Sequence, residues 1–141
     1  MIVQMRVVLP SHPRYLCIAR AMVRELGEVS GLPEEDVHAV ALAVDEALAN
    51  VMRHAYKGSH EHQIEFNCDV YDDRMEFRLL DTGEAPVAER ICGQPLDEVS
   101  LSGRGTHLIR EIMDDVCYQR VEGRNQIRMI KNLPPSKAEG A

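Results

Sequence analysis

The feature that most constrains the fold is a set of three short motifs in a fixed order along the chain. The first, residues 46–56, reads Glu-Ala-Leu-Ala-Asn-Val-Met-Arg-His-Ala-Tyr and lies within a long helical pattern. The second, residues 81–86, reads Asp-Thr-Gly-Glu-Ala-Pro and follows a predicted strand. The third, residues 102–109, reads Ser-Gly-Arg-Gly-Thr-His-Leu-Ile and opens another predicted helix. If the three act together, the fold must bring a helix, a strand end and a glycine turn to one place.

Hydrophobic periodicity predicts five strands and three helices. The strands are predicted at residues 2–9, 63–71, 75–80, 116–121 and 126–131, and the helices at 13–27, 34–56 and 106–115. Ser11 is a candidate cap for the first helix, which we expect to end at Gly27. The order of elements predicts an α/β (α+β) two-layer sandwich, in which three helices cover one face of a mixed, mostly antiparallel sheet.

The length of 141 residues suits one domain with a single core. We expect that domain to occupy residues 1–133 and residues 134–141 to form a mobile C-terminal tail. The formal net charge of −7 disfavours binding to nucleic acid or to an anionic membrane.

The sequence predicts a cytoplasmic protein. Its longest purely apolar run, residues 39–44, is far shorter than the roughly 20 residues that span a bilayer. The first residues lack the charged start and the long apolar stretch of a signal peptide. The four cysteines are scattered and are expected to be reduced thiols. They are Cys17, Cys68, Cys92 and Cys117.

Glu46, Asn50 and His54 recur every four residues, so they share one face of the second helix, about 6 Å apart along its axis. The amide oxygen of Asn50 is a hard, neutral ligand that suits Mg²⁺ together with phosphate oxygens and water. Glu46, one turn away, could accept the proton of an attacking hydroxyl. Taken alone, Glu46, Asn50 and Arg53 could equally be solvated surface side chains. We expect His54 to pack or to cap beneath the site.

The other two motifs supply an acceptor and a possible phosphate cradle. Asp81 at a strand end could accept a hydrogen bond from the exocyclic amine of adenine, whereas guanine presents a carbonyl there. Gly103 and Gly105 allow close approach of a ligand, and free amides at a helix start favour phosphate. Arg104 could add a charged contact to a terminal phosphate. Taken alone, Asp-x-Gly is common in turns, and Gly-Arg-Gly could be a flexible loop end.

In this order the motifs resemble the N, G1 and G2 boxes of the ATPase superfamily of gyrase, Hsp90, histidine kinases and MutL (the GHKL, or Bergerat-type, fold). Residues 108–114, Leu-Ile-Arg-Glu-Ile-Met-Asp, resemble the anti-sigma serine/threonine-kinase branch of that superfamily. The resemblance covers residues 2–133 and implies ATP and Mg²⁺ as cofactors, with residues 84–102 as a short lid over the nucleotide. It implies that Glu46 is the general base and Asn50 the magnesium ligand. The nucleotide-binding residues that it implies are Asn50, Asp81, Gly83, Gly103, Arg104, Gly105 and Thr106.

Two positions depart from the family pattern. Glu84-Ala85 stand where many relatives have a second glycine or a bulky residue, which affects the hinge of the lid. Arg124-Asn125 stand where relatives usually carry Gly-Thr, with the threonine hydroxyl near adenine. We expect Asn125 to supply equivalent hydrogen bonds and to be part of the nucleotide site.

The resemblance implies a serine/threonine protein kinase that phosphorylates a small anti-anti-sigma (STAS-like) partner and that also binds a sigma factor. It further implies a homodimer, formed through the first strand and its edge. An alternative is a regulatory module that binds ATP without turnover, although an intact Glu46 argues mildly against it. A third interpretation is a detached histidine-kinase catalytic domain, which the absence of a long helical hairpin before residue 34 disfavours.

Overall fold

The computed structural model describes residues 2–84 and 104–135, and only the backbone of residues 104–106. This part contains five strands and three helices in the predicted order. They are β1 (Val3–Pro10), α1 (Leu16–Val29), α2 (Glu34–Asn50), β2 (Gln63–Val70), β3 (Arg74–Asp81), α3 (Arg104–Ile112), β4 (Asp115–Val121) and β5 (Arg124–Asn132). Apart from Glu84, the predicted lid lies outside the described residues, as do residues 136–141 of the predicted tail.

The strands form one sheet in the order β1-β2-β3-β5-β4, and each of these four neighbouring pairs is antiparallel. The predicted two-layer sandwich is confirmed. The sheet was expected to be mixed and mostly antiparallel, and every pair among the described strands is antiparallel. The β4–β5 hairpin turns at Glu122 and Gly123, whose φ angles of 52° and 80° are those of a type I′ turn. The right-handed twist of the two strands favours that turn.

The core lies between the helices and one face of the sheet. Phe66 of β2 and Phe77 of β3 are fully buried on that face, with ring centroids 6.4 Å apart. Val40, Val44 and Leu48 are buried at a spacing of four residues, so one side of α2 faces the sheet. Because α2 contacts both α1 and α3, it lies in the middle of the helix layer. Polar residues at its edge therefore lie close to the other helices and to the sheet.

The opposite face of the sheet carries charged cross-strand pairs. Asp69 pairs with Arg78 of the neighbouring strand, and Glu65 pairs with Arg124 at 3.0 Å. Alternation along the strands places these side chains opposite the buried phenylalanines. The charged face explains why the helices cover only one side.

The start of α1 differs from the prediction. A 3-10 turn at Pro13–Tyr15 precedes the helix, and its cap is His12, whose Nδ1 accepts a hydrogen bond from the Arg14 amide. Ser11 is not the cap. Its buried hydroxyl donates to the Ser59 carbonyl at 2.7 Å and thereby joins the end of β1 to the loop before β2.

The predicted ends of two helices are also wrong by a few residues. Helix α1 continues past Gly27 to Val29, because this glycine serves close packing and not helix termination. A Cβ atom at position 27 would lie 3.3 Å from the Leu32 side chain. Helix α3 ends at Ile112, where the Lys131 ammonium caps the Ile112 carbonyl at 3.0 Å.

The expectation of four reduced cysteines is wrong for Cys117. Cys17 and Cys68 are free thiols, whereas Cys117 is disulfide-bonded. Burial raises the pKa of the Cys68 thiol to about 12. The spacing of cysteines in a sequence does not reveal which sulfur atoms a fold brings together. None of the described helices has both the length and the apolar character needed to cross a lipid bilayer.

Candidate functional site

The first motif lies where α2 changes its winding. The helix is regular up to Asn50 and then continues as a π-helical turn over Val51–Ala55, in which the Tyr56 amide bonds to the Val51 carbonyl at 3.0 Å. Such wide turns often occur at functional sites. The carbonyl of Ala55 accepts a hydrogen bond from the Glu84 amide at 2.8 Å. A backbone hydrogen bond therefore joins the first motif to the second.

Gly83 is required at this junction by close packing. A Cβ atom at this position would lie 2.3 Å from the Ala55 carbonyl oxygen and 2.6 Å from its carbonyl carbon. Any other residue would force the two motifs apart. The resemblance implied that Gly83 binds nucleotide, and the structure adds that this glycine packs one motif closely against the other.

Tyr56 provides a second connection between the same motifs. Its buried hydroxyl donates to the Gln63 carbonyl at 2.7 Å and accepts from the Thr82 amide at 2.9 Å. Its ring stacks on His62 with centroids 4.4 Å apart. Sequence reasoning gave Tyr56 no role, because its partners are distant along the chain and the helical pattern marks only where the helix ends.

Asp81 is a buried acid, and one of its two carboxylate oxygens accepts hydrogen bonds from the protein. Its Oδ1 accepts hydrogen bonds from the Gly83 amide and from Nδ2 of Asn125, both at 2.9 Å. Within the described residues, no donor bonds to Oδ2. Burial raises the pKa of Asp81, while the two hydrogen bonds and the charge of Arg120 oppose that rise. The acid therefore offers a single acceptor, which fits a ligand that presents an N–H group.

Asn125 lies beside Asp81 with its amide engaged by the protein. Nδ2 also donates to the Gly83 carbonyl at 3.0 Å, and Oδ1 accepts from Nη1 of Arg120 at 2.6 Å. Residues 81 and 125 are direct partners in the β3–β5 register. The predicted contact between Asn125 and a base stays a prediction, and what the structure shows is contact with the acid.

Glu46 and Asn50 lie one turn apart on α2, as the spacing predicts, and Arg53 contacts both. Nη2 of Arg53 donates to Oδ1 of Asn50 at 2.7 Å and to Oε2 of Glu46 at 3.2 Å. Sequence reasoning treated Arg53 as a solvated charge, although spacings of three and seven residues place it on the same helical face. The neighbouring His54 is exposed, so the expectation that it packs beneath the site is wrong.

The third motif is described only from residue 104. Helix α3 contacts α2 and begins at Arg104, before the predicted start at residue 106, so Gly105 lies within the helix. Gly103 lies outside the described residues. The roles of Arg104, Gly105 and Thr106 stay predictions. The described residues contain no group of three or more His, Cys, Asp or Glu side chains that could hold a metal ion.

Comparison with known proteins shows which family and which relatives this chain resembles. The family described as "Histidine kinase-like ATPase domain" matches residues 9–131. The serine-protein kinase RsbW of Listeria innocua is 28% identical over 123 residues, which cover 82% of this chain and 78% of the relative. The RsbW of Oceanobacillus iheyensis is 29% identical over 115 residues, covering 76% and 73% of the two chains.

A solved structure of the RsbU and RsbW domains of Rv1364c from Mycobacterium tuberculosis shares the fold. It aligns with a TM-score of 0.67 and 14% sequence identity over 94% of this chain, which corresponds to 34% of that longer chain. The sequence relatives confirm the predicted resemblance to the serine-kinase branch and, with it, the prediction of a protein kinase. The chain belongs to the histidine kinase-like ATPase domain family.

Proposed function

We propose that this chain transfers the γ-phosphate of Mg-ATP to a serine of a small anti-anti-sigma (STAS-like) partner, and that it also binds a sigma factor. The observation that carries the proposal is the junction between the first two motifs. The Glu84 amide bonds to the Ala55 carbonyl, and Gly83 packs against the same residue. The strand end that carries the acid proposed for adenine is therefore bonded directly to the helical segment that follows Glu46 and Asn50.

The donor groups present fit a purine nucleotide with magnesium. The unbonded oxygen of Asp81 is an acceptor for the exocyclic amine of adenine. Oδ1 of Asn50 is the kind of hard, neutral ligand that Mg²⁺ accepts beside phosphate oxygens. Gly103, Arg104, Gly105 and Thr106 are proposed to bind phosphate, because amides at a helix start favour an anion. When bound, the magnesium ion neutralises charge on the phosphates.

Glu46 is proposed as the general base. The oxygen of the partner's serine attacks the γ-phosphorus, and a new O–P bond forms as the bond to the bridging β,γ-oxygen breaks. ADP leaves with the electron pair of that bond, and Glu46 takes the hydroxyl proton. Positioning and charge neutralisation provide most of the rate enhancement in such reactions.

The test is to incubate the purified chain with a candidate STAS-like protein and γ-labelled ATP in magnesium. We expect label on a partner serine, and much slower labelling when Glu46 is replaced by Gln. Nucleotide binding and partner association without phosphoserine would refute the kinase step and favour the alternative module without turnover. Label in an acid-labile phosphohistidine would instead indicate a detached histidine-kinase domain.

A homodimer through β1, in the cytoplasm, is part of the same proposal. Among the described strands, β1 pairs only with β2 and therefore forms an edge of the sheet. Ile2 beside it and Val8 within it are 63% and 50% exposed, so apolar surface is available there. Sedimentation of the wild type and of Val8→Lys tests this interface, because the added charge would reduce dimerisation.

A further inference from the structure

We propose that Asn125 and Arg120 are positioning residues that set the preference of the pocket for adenine, by holding Oδ1 of Asp81 and leaving Oδ2 for the base. The inference rests on the proposed function, because it concerns how the same pocket distinguishes one purine from another. Neither residue needs to contact the nucleotide for this role. Each acts through the carboxylate of Asp81.

The three side chains form a chain of hydrogen bonds across two hairpins. Nη1 of Arg120 donates to Oδ1 of Asn125 at 2.6 Å, and Nδ2 of Asn125 donates to Oδ1 of Asp81 at 2.9 Å. Arg120 also donates to the Gly123 carbonyl at 3.1 Å, which ties its guanidinium to the β4–β5 turn. Both Asp81 and Asn125 are buried, with exposed fractions of 6% and 4%. The chain of bonds therefore runs from the surface into the site.

Arg120 determines which end of the amide faces the acid. An amide group presents two N–H donors at one end and an acceptor at the other. The guanidinium, which only donates, requires the oxygen end, so Nδ2 points towards Asp81 and the Gly83 carbonyl. The reversed amide would place its oxygen against a carboxylate and a carbonyl. Arg120 therefore disfavours the orientation in which Asn125 would repel Asp81.

Asn125 in turn decides which oxygen of Asp81 remains available. Oδ1 is held by the Gly83 amide and by Asn125, so rotation of the carboxylate would break two hydrogen bonds. Oδ2 is then directed to the ligand as an ionised acceptor. An adenine amine satisfies this acceptor, whereas the guanine carbonyl would leave a buried oxygen facing another acceptor.

The same two residues favour the ionised form of the acid. Burial favours the protonated form of Asp81, and the Asn125 hydrogen bond and the Arg120 charge oppose it. A protonated acid could donate to the carbonyl of guanine, which would weaken the discrimination. A threonine at position 125 would have one hydroxyl donor and could not bond Asp81 and the Gly83 carbonyl together.

The experiment compares ADP with GDP by competition against a fluorescent ADP analogue at neutral pH in magnesium. Asn125→Asp is isosteric but replaces the donor with a second carboxylate, and two adjacent carboxylates cannot both stay ionised. We expect ADP affinity to fall by about 10-fold or more, with GDP affinity falling less.

Arg120→Gln alters an exposed side chain and should reduce the ADP-to-GDP preference by about 3-fold. Gln119→Glu, the same exchange of amide for carboxyl at an exposed position of β4, is the matched control and should leave the preference unchanged.

An equal loss of ADP and GDP affinity in folded Asn125→Asp would show a general structural role and overturn the inference. An unchanged preference in Arg120→Gln would overturn it as well, and that variant decides the matter if Asn125→Asp does not fold. A wild type that binds neither nucleotide would refute the proposed function. If the wild type binds ADP and the variants keep its ADP-to-GDP preference, only the positioning role is refuted.

Discussion

Nη2 of Arg53 lies 2.7 Å from Oδ1 of Asn50, the oxygen that the proposed function assigns to magnesium. The same nitrogen is 3.2 Å from the carboxylate of Glu46, the proposed base. A divalent cation that approaches Asn50 would meet a positive charge already bound there, and at this separation the two cations repel each other. The Arg53 guanidinium thus contacts both the proposed metal ligand and the proposed general base.

Replacing Arg53 with Gln is expected to lower the magnesium concentration that gives half-maximal ADP binding. The competing positive charge is removed, and because Arg53 is partly solvated, we expect a change of about 3-fold. Calorimetric titrations of ADP at a series of Mg²⁺ concentrations would measure it. Arg74→Gln is the control, since Arg74 also contacts two carboxylates and lies at the other end of β3 from Asp81. A higher magnesium requirement in Arg53→Gln would mean that Arg53 assists the cation.

Replacing Glu46 with Gln should separate binding from transfer. The amide keeps the shape of the side chain but cannot take the serine proton, so phosphorylation should slow by about 10²- to 10⁴-fold. ADP affinity should stay close to the wild-type value. Single-turnover transfer of labelled phosphate gives the rate, and Glu35→Gln, an exposed acid in the first turn of the same helix, serves as the comparison. Wild-type rates in Glu46→Gln would disprove the base assignment.

Gly83→Ala should weaken both stability and ADP binding. The added Cβ atom would lie 2.3 Å from the Ala55 carbonyl oxygen, so the two motifs must separate, at a cost of about 2 kcal/mol of unfolding free energy. Urea unfolding and ADP titration would report the two losses. Gly31→Ala is the contrasting variant, because Gly31 has a φ of +95° but no atom within 4 Å of its added Cβ. That variant should lose stability through backbone strain and bind ADP normally.

Asp81→Asn should increase stability near neutral pH while weakening ADP binding. Burial raises the folded-state pKa of Asp81 above its ordinary value of 3.8, so the ionised acid destabilises the folded state. This penalty develops as the pH rises through 3.8 to the raised pKa, is complete above it, and does not apply to an amide. Denaturant unfolding of both proteins across this pH range should show a stability difference that disappears towards acidic pH. If Asp81→Asn is less stable than the wild type at neutral pH, the ionised acid does not destabilise the folded state and the prediction is wrong.

The sequence was sufficient for the order of elements because each element has its own local pattern. Alternating apolar residues indicated β2 and β3, and a stripe of apolar residues at helical spacing indicated α2. The positions of Asp81 and Gly83 after a strand also followed from local patterns. Ser11 and Gly27 were misjudged by the same rules, because their partners in the loop before β2 and at Leu32 determine what they do.

The contacts between motifs could not be predicted in this way. Asp81 and Asn125 are 44 residues apart, and only the register of β3 against β5 makes them neighbours. Arg53 had the right spacing, but spacing does not reveal which acceptors its guanidinium selects. No periodicity in residues 51–55 indicates that the helix widens there.

That widened turn makes the winding of the residues after Asn50 as important as their identity. A substitution that returned residues 51–55 to ordinary α-helical winding would rotate Ala55 by roughly 100° about the helix axis. Its carbonyl would then point away from Glu84, although every other motif residue would still be present. A sequence comparison would still find all three motifs in such a protein. The strand end proposed to bind the purine, however, would no longer be hydrogen-bonded to the helix proposed to bind magnesium and phosphate.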